Sequence, residues 1–476
     1  MSSHSPTSGS WQSGVAGAGL AVLFGLFFPA AKPLTELSYD LPYLFRPESR
    51  IEQAAIVYMD DASHTALLQP LQAAWDREMH ARLVRRLTEC RARAVVFDIL
   101  FEGTNTQDHL LFDAIRAATN AGTRVVVAGT AESISRKEEN LGHKIIPPFN
   151  EDLQGLLPWG LVEVGTPDTT RRWHFNGTAK EPSLAWRVAQ LTLTNELPDP
   201  TKVRWFNYYG PPGTIPSCSY HRVIETNAAL AVPASEFSNK VVFVGANVGV
   251  GFTGGTGTDH FRTPYSHWDD DKYPGTEVNA TAYLNLANND WLIRFPKHTE
   301  RLCIVLLGGL FGFGLARCRP LLAASLAGLG GAALTAVACL LVWHQHVWFA
   351  WLIVVAIQIP VALGWSLVAR THRLQRDKAR LEAQLATIQP GETATDHGDA
   401  VLSQSPAPPP MAAPPVVESA GPLVPDHTLA QCVGRGAYGE VWLARNLIGT
   451  YHAVKIVYRN RFESAAPFDR EFNGIQ

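Results

Sequence analysis

The stretch AAIVYM, Ala54 to Met59, decides the fold of the first half of this chain. An uninterrupted apolar run of this length is typical of a strand that is buried on both faces, as in a parallel sheet. Asp60, Asp61 and Ser63 follow at once, and their side chains have the chemistry that caps the first turn of a helix. The stretch therefore predicts a strand that runs directly into a helix.

The same alternation of strand and helix returns further along the chain. His80 to Cys90 has apolar residues at helical spacing and leads into the apolar stretch AVVFDIL, Ala94 to Leu100. A helical pattern over 112–118 leads into TRVVVA, Thr123 to Ala128, and KVVFVG at Lys240 to Gly245 is a later strand of the same kind. Strands that alternate with helices predict βαβ units, and hence an α/β domain built on a mainly parallel sheet.

Polar residues follow several of these strands, where open α/β sheets bind their ligands. Three carboxylates lie at strand ends, and helix capping or solvation is the alternative role for them: Asp60, Asp61 and Asp98. A second set lies in a hydrophilic loop that either holds a cation or is simply solvated: Asp259, His260, His267, Asp269, Asp270 and Asp271. The glycines of 245–257 suit an anion-binding loop but lack the Gly-x-Gly-x-x-Gly register. The sequence leaves the identity of the ligand open.

Apolar runs predict that the chain crosses a membrane. There are four of them: Ser13 to Ala31, Leu302 to Ala316, Leu321 to Trp343 and Val347 to Ala369. The first is either a retained anchor or a cleaved signal peptide, and the lack of a preceding basic flank favours the anchor. The second is short, so flanking Arg301 and Arg317 are expected to reach the interfaces. Tryptophans of the fourth run, including Trp348, are expected near the interfaces.

Basic residues predict the orientation, because lysine and arginine favour the cytoplasmic side. They cluster after the second and fourth runs, at Arg317, Arg319 and over 370–380. Residues 32–300 are therefore expected outside the cytoplasm, and the protein is expected to be a multi-pass protein of the plasma or inner membrane, in contact with lipid. The net charge of −3 gives no overall attraction to nucleic acid, which is not an expected partner.

Four stretches of the outer region carry a resemblance to a known family. They are IVYMDDAS at 56–63, ARLVRRLTECRARAVVFDILF at 81–101, VVFVGANVGVGFTGGTGTDHFRTPYS at 241–266 and PGTEVNATAYLNLANNDWLIR at 274–294. Residues 34–294 resemble the CHASE2 family of extracellular sensor domains of bacterial receptors, in which three membrane helices follow the sensor. The resemblance implies an extracytoplasmic ligand. The family usually shows an aspartate-glycine pair near an arginine, where this chain has Thr169, Thr170 and Arg171.

The residues after the last apolar run predict a helix and then a spacer. Arg370 to Gln389 continues the helix, with a heptad seam at Leu374, Lys378, Leu381, Leu385 and Ile388. This short seam predicts either a homodimer contact or a solvated helix. Pro390 and Gly391 end the helix, and the Pro/Ala-rich residues up to Pro425 predict a disordered linker.

The last fifty residues carry a nucleotide-binding pattern. GRGAYGEV at 434–441 fits Gly-x-Gly-x-x-Gly-x-Val, strands are predicted on both sides of a turn at 446–450, and the second strand carries Ala453, Val454 and Lys455. Together these motifs resemble the start of a eukaryotic-type serine/threonine protein kinase, a β-rich part of its small lobe. A dinucleotide-binding turn is disfavoured because it would run into a helix.

The kinase resemblance implies roles for individual residues. Lys455 would pair with the α- and β-phosphates of ATP, held by Glu471 in FDREFNGI at 468–475. Val441 and Ala453 would line the adenine pocket. The loop over the phosphates would comprise Gly434, Arg435, Gly436, Ala437, Tyr438 and Gly439. The implied cofactors are ATP and Mg²⁺, and the implied substrates are proteins. No metal ligand is assigned in this sequence.

The sequence predicts five regions with distinct roles. They are an anchor at 1–31, a sensor at 32–300, three membrane helices at 301–369, a juxtamembrane helix and linker at 370–425, and a partial kinase domain at 426–476. The sequence ends at Gln476, before any His-Arg-Asp or Asp-Phe-Gly motif, so we expect the chain as given to be inactive and truncated. The main hypothesis is a receptor serine/threonine kinase, and the alternative is a non-enzymatic membrane sensor with an inert kinase remnant.

Overall fold

A computed structural model describes residues 8–28, 31–70, 74–101, 105–134, 142–146, 157–162, 169–227, 230–247, 259–269, 271–388, 424–435 and 439–458. The chain divides into two compact units, Met1–Pro390 and Gly391–Gln476. The first unit holds the α/β domain and all of the long apolar helices. The second holds the strands that carry the nucleotide-binding pattern.

The first unit contains many short strands and a set of helices. Its strands are β1 (Ala54–Asp60), β2 (Ala94–Leu100), β3 (Arg124–Ile134), β4 (Gly142–Ile146), β5 (Trp159–Leu161), β6 (Trp173–His174), β7 (Arg204–Trp205), β8 (Ser217–Ser219), β9 (Val241–Asn247), β10 (His260–Phe261), β11 (Tyr273–Pro274), β12 (Ile293–Arg294) and β13 (Val347–Trp348). Its helices are α1 (Ser8–Phe27), α2 (Ala31–Leu44), α3 (Asp61–Leu67), α4 (Arg77–Glu89), α5 (Asp108–Asn120), α6 (Leu184–Thr192), α7 (Tyr220–Val223), α8 (Ser266–Asp269), α9 (Gly275–Asn288), α10 (Lys297–Leu315), α11 (Pro320–Leu340), α12 (Trp351–Ile353) and α13 (Ile359–Ile388). Short π-helical segments, Leu341–Gln345 and Val354–Gln358, flank α12.

The main sheet has the order β4-β3-β2-β9-β1-β8, with β5 also paired to β3. All of its pairings are parallel except β3 with β4. Alternate residues of β1 enter two separate cores, so Ile56 packs on one face and Val57 on the other. Both faces are therefore covered, which explains the uninterrupted apolar strands. The predicted α/β fold with a mainly parallel sheet is confirmed.

The strand that the chain adds late, β9, lies between β1 and β2. Asp60 at the end of β1 is in register with Asn247 of β9, and Asp98 of β2 with Gly245 of β9. A Cβ atom at Gly245 would overlap the Thr276 hydroxyl, so glycine is what allows the first turn of α9 to lie against the strand end. The carboxyl ends of three parallel strands and the start of a helix thus meet at one edge of the sheet.

Within the part of the chain that the structure describes, three helical segments are long and apolar enough to cross a membrane: Lys297–Leu315, Pro320–Gln345 and Trp351–Leu385. The bent pair Trp11–Phe27 and Ala31–Leu44 is a fourth if it counts as one span. The short second apolar run is extended at its amino end, because α10 already begins at Lys297. The protein is therefore a membrane protein with an α/β domain, as predicted.

The start of the last membrane helix differs from the prediction. Val347 and Trp348 form β13, which pairs in parallel with β12, and the helix begins only at Trp351. Trp348 is buried in the core of the α/β domain, with its ring centroid 4.6 Å from that of Trp205. Trp348 therefore packs inside the α/β domain rather than against lipid, and its position near a membrane interface stays a prediction. The backbone of this stretch is used in a strand pairing that hydropathy alone does not register.

Gln358 joins three of the apolar helices in the bundle. Its side-chain amide donates hydrogen bonds to the carbonyl of Ala21 in α1 (3.1 Å) and to that of Ile304 in α10 (3.0 Å). Gly25 and Gly308 lie directly against this amide and leave room for it. The π-helical turn that contains Gln358 precedes Pro360, and a proline without an N–H is a common cause of such an irregular turn.

The second unit is described by one antiparallel sheet. It has three strands in the order β14-β15-β16, with bounds His427–Arg435, Gly439–Asn446 and Tyr451–Val457. The turn between the last two strands falls at residues 447–450, where the sequence predicts it. Ala444 is the only one of the described residues of these strands that is fully buried.

Candidate functional site

Asp60 occupies the carboxyl edge of the sheet as a helix cap. Its carboxylate accepts hydrogen bonds from the backbone N–H of Ser63 (2.9 Å) and from the hydroxyls of Ser63 and Ser219. Burial alone would raise the pKa of Asp60, but the hydrogen bonds from Ser219 and Ser63 lower it below its ordinary value. Asp61 is exposed in the first turn of α3. Asp60 therefore has the helix-capping role that was the alternative to ligand binding for these carboxylates.

Asp98 and Asp259 form a pair of interacting carboxyl groups at the same edge. Burial raises the pKa of Asp98, and the nearby charge of Asp259 raises it further, although a hydrogen bond from the side-chain amide of Asn279 (3.1 Å) acts in the opposite direction. Desolvation of its carboxyl group also raises the pKa of Asp259, against the lowering effect of Arg171, although the residue as a whole is exposed. Interacting carboxyl groups of this kind titrate as a pair rather than independently. The pair therefore makes this edge of the sheet a polar candidate site.

Glu277 is a buried carboxyl group that sequence reasoning missed. Its side chain is 1% exposed and accepts hydrogen bonds from the backbone N–H of Gly213 (2.9 and 3.1 Å) and from the hydroxyl of Tyr58 (3.4 Å). Burial raises the pKa of Glu277 to about 7. The stretch GTEV at 275–278 reads as an ordinary acidic first helical turn, so only the packing of α9 on the sheet reveals the burial.

The hydrophilic loop does not assemble as one cluster. His260 contacts Asn247 through Nε2 (3.1 Å), whereas His267 contacts Asp40 through Nε2 (3.0 Å). Among the described residues, no three His, Cys, Asp or Glu side chains converge as metal ligands would. Asp270 and the glycines of 249–257 lie outside the described residues, as does the side chain of Asp269.

An open cleft of about 750 Å³ lies at the opposite, amino edge of the sheet. Its lining includes Glu48, Arg50, Glu236 and Lys240, which are charges of both signs. Ligands of open α/β sheets bind at the carboxyl ends of strands. The edge that carries Asp98 and Asp259 is therefore the better candidate for a sensory site.

Helix α2 is fixed to the α/β domain by buried charges. Asp40 is fully buried and accepts hydrogen bonds from Arg172 through Nε (2.9 Å) and Nη2 (2.7 Å). His267 contacts the same carboxylate, and Glu36 contacts Arg172 at 3.3 Å. The hydroxyls of Tyr39 and Tyr43 both donate to the carbonyl of Phe206, at 2.6 and 2.9 Å. One face of α2 is thus locked to the domain.

The same helix is also fixed to the apolar helices. The indole N–H of Trp351 donates to the carbonyl of Ser38 (2.9 Å), and the backbone N–H of Leu352 donates to the Ser38 hydroxyl (3.0 Å). The indole N–H of Trp343 donates to the carbonyl of Pro42 (3.1 Å). We call α2 with these two sets of contacts the α2 interlock. It connects the α/β domain to the start of the helix that continues into α13.

The nucleotide-binding pattern lies on the three-stranded sheet of the second unit. Val441 is directly opposite Gly434 on one side and Lys455 on the other, and Ala453 is two residues from Lys455. Directly opposed residues of antiparallel strands share a face, as do residues two apart. The sheet therefore brings Gly434, Val441, Ala453 and Lys455 to one face.

The remaining predicted residues of that pattern divide into two groups. Arg435 alternates to the other face and pairs with Glu440 (3.4 Å), and Gly439 lies in register with Val457. Four residues lie outside the described part of the chain: Gly436, Ala437, Tyr438 and Glu471. Their predicted roles stay predictions.

Comparison with known proteins adds one match. The CHASE2 domain matches residues 17–314, which extends the resemblance seen at 34–294 into α1 and through α10. No curated protein and no solved structure matches the chain.

The raised pKa of Glu277 predicts a pH-dependent stability. Between pH 4.5 and about 7 the folded chain keeps a proton that the unfolded chain has lost, so the free energy of unfolding falls as pH rises through this window. Glu277→Gln cannot lose this proton. The difference in free energy of unfolding between the variant and the wild type should therefore shift in favour of the variant by up to roughly 3 kcal/mol between pH 4.5 and pH 8. Denaturant unfolding of the detergent-solubilised chain at each pH measures the free energy of unfolding. Glu52→Gln, at an exposed site, should follow the wild type, and a pH-independent difference for Glu277→Gln would contradict the assignment.

Proposed function

The chain belongs to the CHASE2 family, and from this premise we propose that it is a multi-pass membrane receptor whose extracytoplasmic sensor controls a cytoplasmic serine/threonine kinase. The sensor is the α/β domain, and its sensory site is the carboxyl edge that carries Asp98 and Asp259. The kinase, in its complete form, transfers the γ-phosphate of ATP to protein serine and threonine hydroxyls.

The α2 interlock is the observation that carries this proposal. A sensor acts as a receptor only if its conformation is coupled to a segment that reaches the other side of the membrane. Asp40 binds α2 to the sensor through Arg172, and Ser38, two residues away, binds it to Trp351 at the start of the last membrane helix. That helix runs without a break from Ile359 to Ile388, beyond its apolar part. A displacement of α2 therefore has a direct physical route to the juxtamembrane helix.

Close packing supports a retained first helix. The Gly17 and Gly312 backbones approach so closely that a Cβ atom on either would overlap the other helix. Trp365 also donates its indole N–H to the carbonyl of Ser13 (2.9 Å). Small residues at helix contacts are typical of membrane bundles. We therefore take α1 as a fourth span, which puts the amino terminus and the juxtamembrane helix in the cytoplasm.

The kinase proposal rests on the sequence motif and the strand register. The face shared by Gly434, Val441, Ala453 and Lys455 provides a small residue, two apolar side chains and a cation next to one another. A nucleotide needs these features, because its base binds apolar surface and its phosphates bind positive charge. Lys455 would hold the α- and β-phosphates, and Glu471 would hold Lys455. Bound Mg²⁺ would neutralise phosphate charge, and no residue of this sequence is assigned as its ligand.

Reporter fusions test the orientation. Alkaline phosphatase, which is active only outside the cytoplasm, should be active when fused after Ser266 and inactive when fused after Gln389, because arginine and lysine residues are retained inside. A tag before Ser8 should be protected from external protease if α1 is a retained span. Activity of the fusion after Gln389 would place the proposed sensor and kinase in the wrong compartments.

Asp40→Asn tests the route through the α2 interlock. The substitution keeps the shape of the side chain but removes the charge that Arg172 binds, which leaves a buried charge uncompensated. We expect amide hydrogen exchange in residues 349–353 of the membrane-embedded chain to accelerate roughly tenfold, the effect of about 1.4 kcal/mol. Glu36→Gln, which removes the outer and more exposed partner of the same arginine, should change this exchange little. Unchanged amide hydrogen exchange in Asp40→Asn would contradict the proposed route through α2.

Lys455→Met tests the kinase assignment in a form of the protein that continues into a complete catalytic domain. Loss of the phosphate-binding cation should lower autophosphorylation by at least about a hundredfold, with membrane insertion unchanged. His452→Met, on the opposite face of the same strand, is the matched control and should keep activity. Wild-type activity in Lys455→Met would remove Lys455 from its role. A protein that lacks phosphorylation in every form would favour a sensor with an inert kinase remnant.

A further inference from the structure

An apolar stripe on α13 is exposed beyond the uncharged run, which ends at Ala369. Leu374, Leu381 and Leu385 are 57%, 60% and 50% exposed. They follow the 4-3-4 spacing through Lys378 that defines one face of a two-stranded coiled coil. A helix that is only solvated does not require leucines on one face. Their alignment therefore indicates a surface that a partner would bury.

We propose that this stripe, which we call the juxtamembrane seam, binds the same seam of a second copy of the chain in a parallel, in-register dimer. Leu374 and Leu381 take position d of the heptad, and Lys378 and Leu385 take position a. The proposal goes beyond the receptor function and does not depend on kinase activity.

The membrane dictates the parallel arrangement. α13 is one continuous helix that begins among the apolar helices and ends beyond them, so two copies in one bilayer leave it with the same polarity and at the same height. An antiparallel pairing would need one copy to be inverted. Tethering to a common plane also raises the effective concentration of the two seams, which compensates for a length below three heptads.

The charges around Lys378 fit this register. In a parallel pair, the side chain at position a enters a pocket bordered by position g of the partner, which here is Asp377. Asp377 also lies next to Glu382 of the partner at position e, and two carboxylates there would repel each other without a cation. Within one chain Lys378 already lies 3.8 Å from Glu382. The two lysines of a dimer therefore lie between four carboxylates, and a slip in register would lose this match.

Cysteine crosslinking in membranes tests the seam in the full chain with its native cysteines replaced by serine. Leu381→Cys, at position d, should give an oxidised dimer at least about fivefold more abundant than Ala383→Cys, which is outside the seam at position f. Adding Lys378→Glu makes the central layer entirely acidic and should reduce the Leu381→Cys dimer to the level of the control. Arg380→Glu, with the same charge change at the outward position c, should leave it intact.

Three results would overturn the proposal. Equal crosslinking at Leu381→Cys and Ala383→Cys would indicate random collision. A monomeric Leu381→Cys chain that reacts freely with a maleimide would mean a solvated helix, and one protected from the maleimide would mean that a segment of the same chain or another protein covers the seam. If Leu381→Cys does not accumulate, Leu374→Cys against Arg376→Cys makes the same comparison one heptad earlier.

Discussion

The buried ion pair between Asp40 and Arg172 is the constraint on which the arrangement of the first unit depends. A carboxylate without solvent contact is strongly destabilising unless a cation and hydrogen bonds compensate for it, so Asp40 fixes where α2 lies on the α/β domain. Because Ser38 is one helical half-turn away, the position of α2 in turn fixes Trp351 and Leu352. The sensor and the last membrane helix therefore share one rigid element.

A second contact strengthens this junction. Glu300, near the start of α10, accepts hydrogen bonds from the backbone N–H of Ala350 (2.7 Å) and from Arg294. The short parallel pairing of β12 with β13 lies beside it. Two connections, rather than one flexible link, therefore join the α/β domain to the bundle.

The bundle itself is held by polar contacts that hydrocarbon makes costly to break. The side-chain amide of Gln358 donates to backbone carbonyls of two neighbouring helices, and the amide loses both acceptors if its own helix moves independently. The glycines that admit its amide also admit close backbone approach. The helices of the membrane part are therefore held to one another at Gln358.

Local sequence determined the elements of this protein. The apolar runs at 54–59, 94–100 and 240–245 are strands, the intervening helices lie where their spacing predicted, and three of the four apolar runs are membrane-length helices. Hydrophobic periodicity suffices for these because burial acts on each segment separately. Strands β14 to β16 and the turn before β16 follow from the same local signals, whereas the residues Gly436 to Tyr438 and Glu471 lie outside the described structure.

Only the tertiary structure decided how these elements meet. No local pattern indicates that β9 inserts between β1 and β2, which is what brings Asp98 next to the loop with Asp259 and buries Glu277 beneath α9. The sequence shows only that Trp348 is apolar, which fits both a lipid-facing and a core position. Its strand pairing with residues more than fifty positions away determines that it lies in the core. Asp40 and Arg172 are ordinary surface residues by composition. Their roles depend on contacts between distant parts of the chain, and such contacts leave no periodic signal in the sequence.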